Sequence, residues 1–127
     1  MKKVVVLLLS VLLLAACQSA VSDFSEVKKV PADVQDIIQK QELLGKQDTL
    51  YMVNQGDGTA YLVFRASGEV SSSVDSDNDT STIRLNTKAD GSDMKIHVFQ
   101  FKQNEEGGTI IIEVNGKQVP LDNVFLI

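Results

Sequence analysis

From Thr49 onward, short stretches of alternating apolar and polar side chains are broken repeatedly by glycine, asparagine or aspartate. A period of two punctuated by turn residues predicts strands joined by tight turns. Leu50–Asn54 and residues 59–66 flank Gln55-Gly56-Asp57-Gly58, the composition of a hairpin. Ser67-Gly68 makes the next turn and leads into residues 69–74, where Val70 and Val74 share a face. Residues 75–79 read as an acidic loop, after which Ile83 and Leu85 alternate with Thr82, Arg84 and Asn86. Ala89-Asp90-Gly91-Ser92 turns the chain again. Met94, Ile96 and Val98 then point one way, whereas Phe99 and Phe101 point the other. That change of phase requires a bulge, or a strand covered on both sides. After a loop at 105–108 comes the strand Thr109–Val114, followed by Asn115-Gly116, the strongest type I′ hairpin signal in the chain. Residues 117–121 return with Pro120 marking an edge, and residues 124–127 form an apolar last strand expected to pair inside the sheet.

One helix is predicted ahead of these strands, over residues 31–44. Pro31 suits the first helical position, and Asp33 and Asp36 put negative charge at the positive end of the helix dipole. Val34, Ile37, Ile38 and Leu44 fall on one stripe with Gln41 in the gap, and Gly45 terminates it. The expected fold class is therefore mostly β (α+β). It is a small, mainly antiparallel sandwich or curled barrel of six to seven strands, with one N-terminal helix over an open end or face.

What precedes the helix is of another kind. Lys2 and Lys3 open the chain and Val4 to Leu14 is apolar except for Ser10. As a helix those residues would span about 16 Å, half of a bilayer core, which is too short for a permanent span and fits a signal peptide. The run closes on Leu14-Ala15-Ala16-Cys17, with Cys17 the only cysteine of 127 residues. This motif resembles the lipobox of bacterial lipoproteins. The resemblance implies a diacylglyceryl group on the Cys17 thiol, cleavage between Ala16 and Cys17, and acylation of the new amino terminus. The domains are then 1–16 signal peptide, 17–29 flexible tether and 30–127 a single β-rich domain. Twelve flexible residues give a reach of about 20 Å.

Charge and composition narrow the chemistry. The formal charge of −5 becomes −7 when Lys2 and Lys3 are removed, which argues against nucleic acid and against electrostatic adhesion to anionic lipid. His97 is the only histidine, so a triad would need it together with the Ser71-Ser72-Ser73 run, which lacks a glycine-flanked nucleophile elbow. One histidine cannot furnish a zinc site, and no phosphate-binding glycine loop is present. The best candidate metal ligands are Asp75, Asp77 and Asp79, whose alternation could offer hard oxygens to Ca²⁺. Thr80 and Asn86 stand where an EF-hand has glycine and glutamate, so a solvated hairpin loop is the competing explanation. Tyr51, Tyr61, Phe64, Phe99, Phe101 and Phe125 could line a groove, although aromatics at strand spacing usually form core.

The helix followed by Leu50-Tyr51-Met52-Val53 and Tyr61-Leu62-Val63-Phe64 is similar to small envelope proteins of the protease-complex accessory type. Their Gly-Gly-Tyr element is replaced here by Ser67-Gly68-Glu69-Val70, so no functional residue is carried over. The expectation is a non-enzymatic lipoprotein on the extracytoplasmic face of a bacterial membrane. It would be held there through lipid on Cys17, need no cofactor, bind no nucleic acid, and recognise an envelope protein or polymer. The alternatives are a protease-associated or inhibitory module and a weak calcium-dependent binding protein.

Overall fold

A computed structural model describes residues 20–43, 49–88, 91, 93–104 and 107–127. The Leu14–Cys17 motif, the expected helix residues Leu44 and Gly45, and Ala89, Asp90, Ser92, Glu105 and Glu106 from the expected turn and loop lie outside them. The described chain runs β1 (Val21–Glu26), α1 (Ala32–Leu43), β2 (Leu50–Asn54), β3 (Thr59–Ser67), β4 (Glu69–Asp77), β5 (Thr80–Lys88), β6 (Met94–Gln103), β7 (Thr109–Val114), β8 (Lys117–Gln118) and β9 (Asn123–Leu126). Five strands form one sheet in the order β1-β6-β3-β2-β9, and four form a second in the order β4-β5-β7-β8. The result is a sandwich without a closed barrel, with α1 laid on the outer face of the larger sheet.

The larger sheet is therefore the middle of three layers, and its sequence shows it. Leu50 and Met52 face the second sheet while Tyr51 and Val53 face the helix, and all four are buried. The same division runs through β3, where Leu62 and Phe64 face one way and Tyr61 and Val63 the other. It also explains β6. Phe99 and Phe101 enter the core between the sheets, whereas Val98 and Ile96 meet the helix layer. The β3–β6 register is continuous over that stretch, so the strand is covered on both sides and carries no bulge toward β3. From α1, Val34 and Ile38 supply the opposing apolar surface. Gln41 sits in the same buried stripe, and its Oε1 has no hydrogen-bond partner.

Several expectations need correction. The structure has nine strands among the described residues, and eight of them follow the helix. Residues 21–26, expected within a flexible tether, form β1 and pair antiparallel with β6. Val21 and Phe24 are three residues apart, so a regular strand would send them to opposite faces. An extra residue between Ser22 and Ser25, with Asp23 at φ 54°, lets both meet the inter-sheet core. Phe24 then stacks on Phe99 with ring centroids 5.2 Å apart. Both sheets are mixed, since β2–β9 and β5–β7 are parallel pairs. Parallel neighbours need a crossover, and β6, lying in the other sheet, supplies the one between β5 and β7. Ser67-Gly68 is the corner at which the chain passes from one sheet to the other, with Gly68 at φ 76°. The last strand does pair, but at the sheet edge. Leu126 is 81% exposed and Ile127 44%.

The Asn115-Gly116 turn takes positive φ at both residues, 52° and 83°, as a type I′ hairpin requires. Asn115 also accepts a 2.9 Å hydrogen bond from the Thr87 backbone N–H and so ties the turn to β5. At the opposite end of the sandwich, Gly108 has φ 127° and closes against two other segments. A Cβ there would lie 2.7 Å from both the Ala20 Cβ and the Asp79 carbonyl oxygen.

Two outcomes are expected. Gly108→Ala should lower stability by about 3 kcal/mol in urea unfolding, from positive φ and overpacking together. Tyr61, buried under the helix layer, has its phenol pKa raised above the ordinary 10.0, chiefly by burial and then by Asp33 and Asp57. The unfolded chain thus ionises first, so stability is full below about pH 10 and is lost as pH rises through the folded value. Alkaline denaturation of Tyr61→Phe should begin at higher pH than that of the wild type.

Candidate functional site

The acidic stretch is mostly strand. The β4–β5 ladder continues to Asp77↔Thr80, which leaves Asn78 and Asp79 as a two-residue turn with Asn78 at φ 55°. Alternation puts Asp75 and Asp77 on one face of β4, away from the side on which Val70 and Val74 meet the core. Ser76 lies between them and bonds the Ser81 hydroxyl at 2.9 Å.

Asp75 is already paired. Arg84 reaches it through Nη1 and donates through Nε to Glu113 Oε1 at 3.2 Å, so one guanidinium bridges β4, β5 and β7. With Arg84 41% exposed and Asp75 72% exposed, the pair contributes modestly and is weakened by salt. The depression over this hairpin opens to solvent. Among the described residues, no three His, Cys, Asp or Glu side chains come together in a way that could hold a metal ion. Asp75, Asp77 and Asp79, expected as calcium ligands, do not form such a group. A pleated strand and a tight turn spread the three carboxylates along an exposed edge, and Arg84 takes the first of them.

His97 and the serine run are not brought together as a catalytic unit. His97 stands on β6, whereas Ser71, Ser72 and Ser73 stand on β4 in the other sheet and are exposed. The imidazole is 13% exposed, with Nδ1 3.8 Å from Glu26 Oε2 and an enclosed Nε2 that has no hydrogen-bond partner. The aromatics divide as core residues do. Tyr51, Tyr61, Phe64, Phe99 and Phe101 are buried, and Phe125 packs edge-on against Tyr51 at 5.7 Å. Asp57, in the β2–β3 turn, has its carboxyl pKa lowered chiefly by the Thr59 backbone N–H, which donates to it at 3.0 Å.

What the sequence did not single out is the joint at the start of β1. Ser81, fully buried, accepts a 3.1 Å bond from the Val21 N–H across sixty positions of chain, and it also holds Ser76. The Ala20 carbonyl accepts from the Asn104 N–H at 3.0 Å, and the Asp79 carbonyl accepts from the Thr109 N–H at 2.9 Å. The alternation of Ile83 and Leu85 already placed Ser81 on the inward face, although nothing in it pointed to Val21. This joint ties the first described residues, Ala20 and Val21, to the sandwich three positions after Cys17 in the sequence.

No family model matches the chain, and no curated protein or solved structure matches it either.

The melting temperature should be the same in millimolar Ca²⁺ and in chelator. A ligand that binds only the native state must raise it, so a rise of several degrees would show that these carboxylates do converge.

Proposed function

We propose that the protein is a lipid-anchored, extracytoplasmic binding or accessory domain without catalytic activity of its own. The observation that carries this is Leu14-Ala15-Ala16-Cys17 at the end of an apolar run opened by two lysines. Cleavage between Ala16 and Cys17 would leave every described strand intact, because the first of them, β1, begins at Val21. Among the described residues no helix is long and apolar enough to cross a membrane. Two or more acyl chains on one residue suffice for durable anchoring.

A binding role is favoured over a catalytic one by how the polar groups are used. Arg84 is engaged between two carboxylates, Ser81 is part of a buried joint, and His97 stands beside Glu26 in a different sheet from the Ser71-Ser72-Ser73 run. The surface carries net negative charge, which disfavours polyanionic ligands and leaves an envelope protein or uncharged polymer as the partner class.

Growth with a clickable fatty acid should label the wild-type protein and leave Cys17→Ala unlabelled. Mass spectrometry of the native product should show a chain beginning at acylated Cys17. An intact Met1 or an unmodified thiol would overturn the proposal.

A further inference from the structure

The correction to the tether has a geometric consequence. Ala20 is 3% exposed and held by Asn104 and Gly108, so only Gln18 and Ser19 separate the pinned residue from Cys17. Three trans Cα–Cα steps span at most about 11 Å. The end of the sandwich that holds Ala20 must therefore lie against the surface in which Cys17 is anchored.

Strand directions say what else lies at that end. β1 runs away from it, antiparallel β6 runs toward it, β3 away, and β2 toward it. β9 is parallel to β2, with Leu126 opposite Asn54 and the Ile127 N–H donating to the Asn54 carbonyl at 2.8 Å. Exposed Leu126 and Ile127 thus finish at the same end as Ala20, at the other edge of the sheet. Four strand spacings separate the two edges, about 19 Å. The acidic turn of Asn78 and Asp79 is also at this end, beside Ala20, since both Ala20 and the Asp79 carbonyl border Gly108, and the β2–β3 turn with Asp57 lies there next to β9.

We propose that the domain meets the bilayer at two points, the lipid at the β1 corner and the apolar pair Leu126 and Ile127 at the β9 corner. The second contact seats these side chains in the headgroup region and fixes the domain's orientation. The Asn115-Gly116 turn, at the far end of β7, then points away from the membrane. Aliphatic side chains at an interface gain from leaving water, while Asp77 and Asp79 favour lipid without net charge beneath them. This rests on the anchored reading above.

The test uses full-length lipidated protein on phosphatidylcholine vesicles. Because Cys17 is the only cysteine and is acylated, a cysteine added by Leu126→Cys or, as the distal control beside the Asn115-Gly116 turn, Lys117→Cys can be labelled alone with an environment-sensitive fluorophore. Both side chains are exposed, so neither substitution disturbs packing. Quenching by lipids carrying a nitroxide near the headgroup should be roughly threefold stronger at 126 than at 117. Equal quenching on protein that floats with the vesicles overturns the orientation and leaves the anchor standing. Protein that fails to float overturns both. A signal at 126 that grows with protein density at fixed lipid would mean contact between copies and would also overturn the bilayer contact.

Discussion

The structure depends on one sheet being buried on both faces. The five-stranded sheet lies between the helix and the four-stranded sheet, so its central strands cannot spare a side for water. Phe99 and Phe101 fill the space between the sheets and each contributes about 2 kcal/mol by burial. Val98, one residue before Phe99, contributes to the opposite layer. A single strand thus couples the two cores, and β1, β3 and the helix layer all pack on it. The smaller sheet has less to do. Its inner face carries Ile83, Leu85 and Ile112, while its outer face is a polar ladder of Ser, Thr, Asp and Arg84.

Local signals were legible where packing agreed with local period. The hairpin at 55–58, the type I′ turn at Asn115-Gly116 and the helix stripe of Val34, Ile38 and Gln41 all appeared where their spacing placed them. The phase change in β6 was visible as well, and the structure resolved it in favour of two-sided cover. β1 was not legible, because a bulge is what makes Val21 and Phe24 partners in one core. Without it, Ser22, Asp23, Ser25 and Glu26 read as solvated chain. The parallel pairings of β9 on β2 and β7 on β5 depend on chain segments far apart, and period-two patterning holds no information about which strands become neighbours.

The candidate site shows the same limit. Alternating aspartates suggested converging oxygens, yet alternation on a strand is what keeps Asp75 and Asp77 in line along one face. Convergence needs a loop that curls round an ion. The β4–β5 ladder instead runs to its last possible pair and leaves only two residues to turn. The charge pattern is better explained by the strand edge it occupies. β4 is the outer strand of its sheet, and carboxylates along an exposed edge discourage pairing with other chains. The β9 edge has no such protection, for it presents Val124 at 46% exposure and Leu126 at 81%. That asymmetry is what the proposed bilayer contact at β9 rests on.

The joint at Ala20 decides how such an anchored domain moves. Twelve flexible residues would let it wander about 20 Å from its lipid and present any face. Locking Val21 to Ser81, and the Ala20 carbonyl to Asn104, removes most of that freedom and leaves two linking residues. Motion then becomes rocking about the β1 corner. The faces offered outward are those remote from Ala20, including the Asn115 turn and the start of β6. In the proposed anchored arrangement a partner would approach from there or along the sides of the sandwich, because the turn end that carries Asp57 and Asp79 would face the membrane surface.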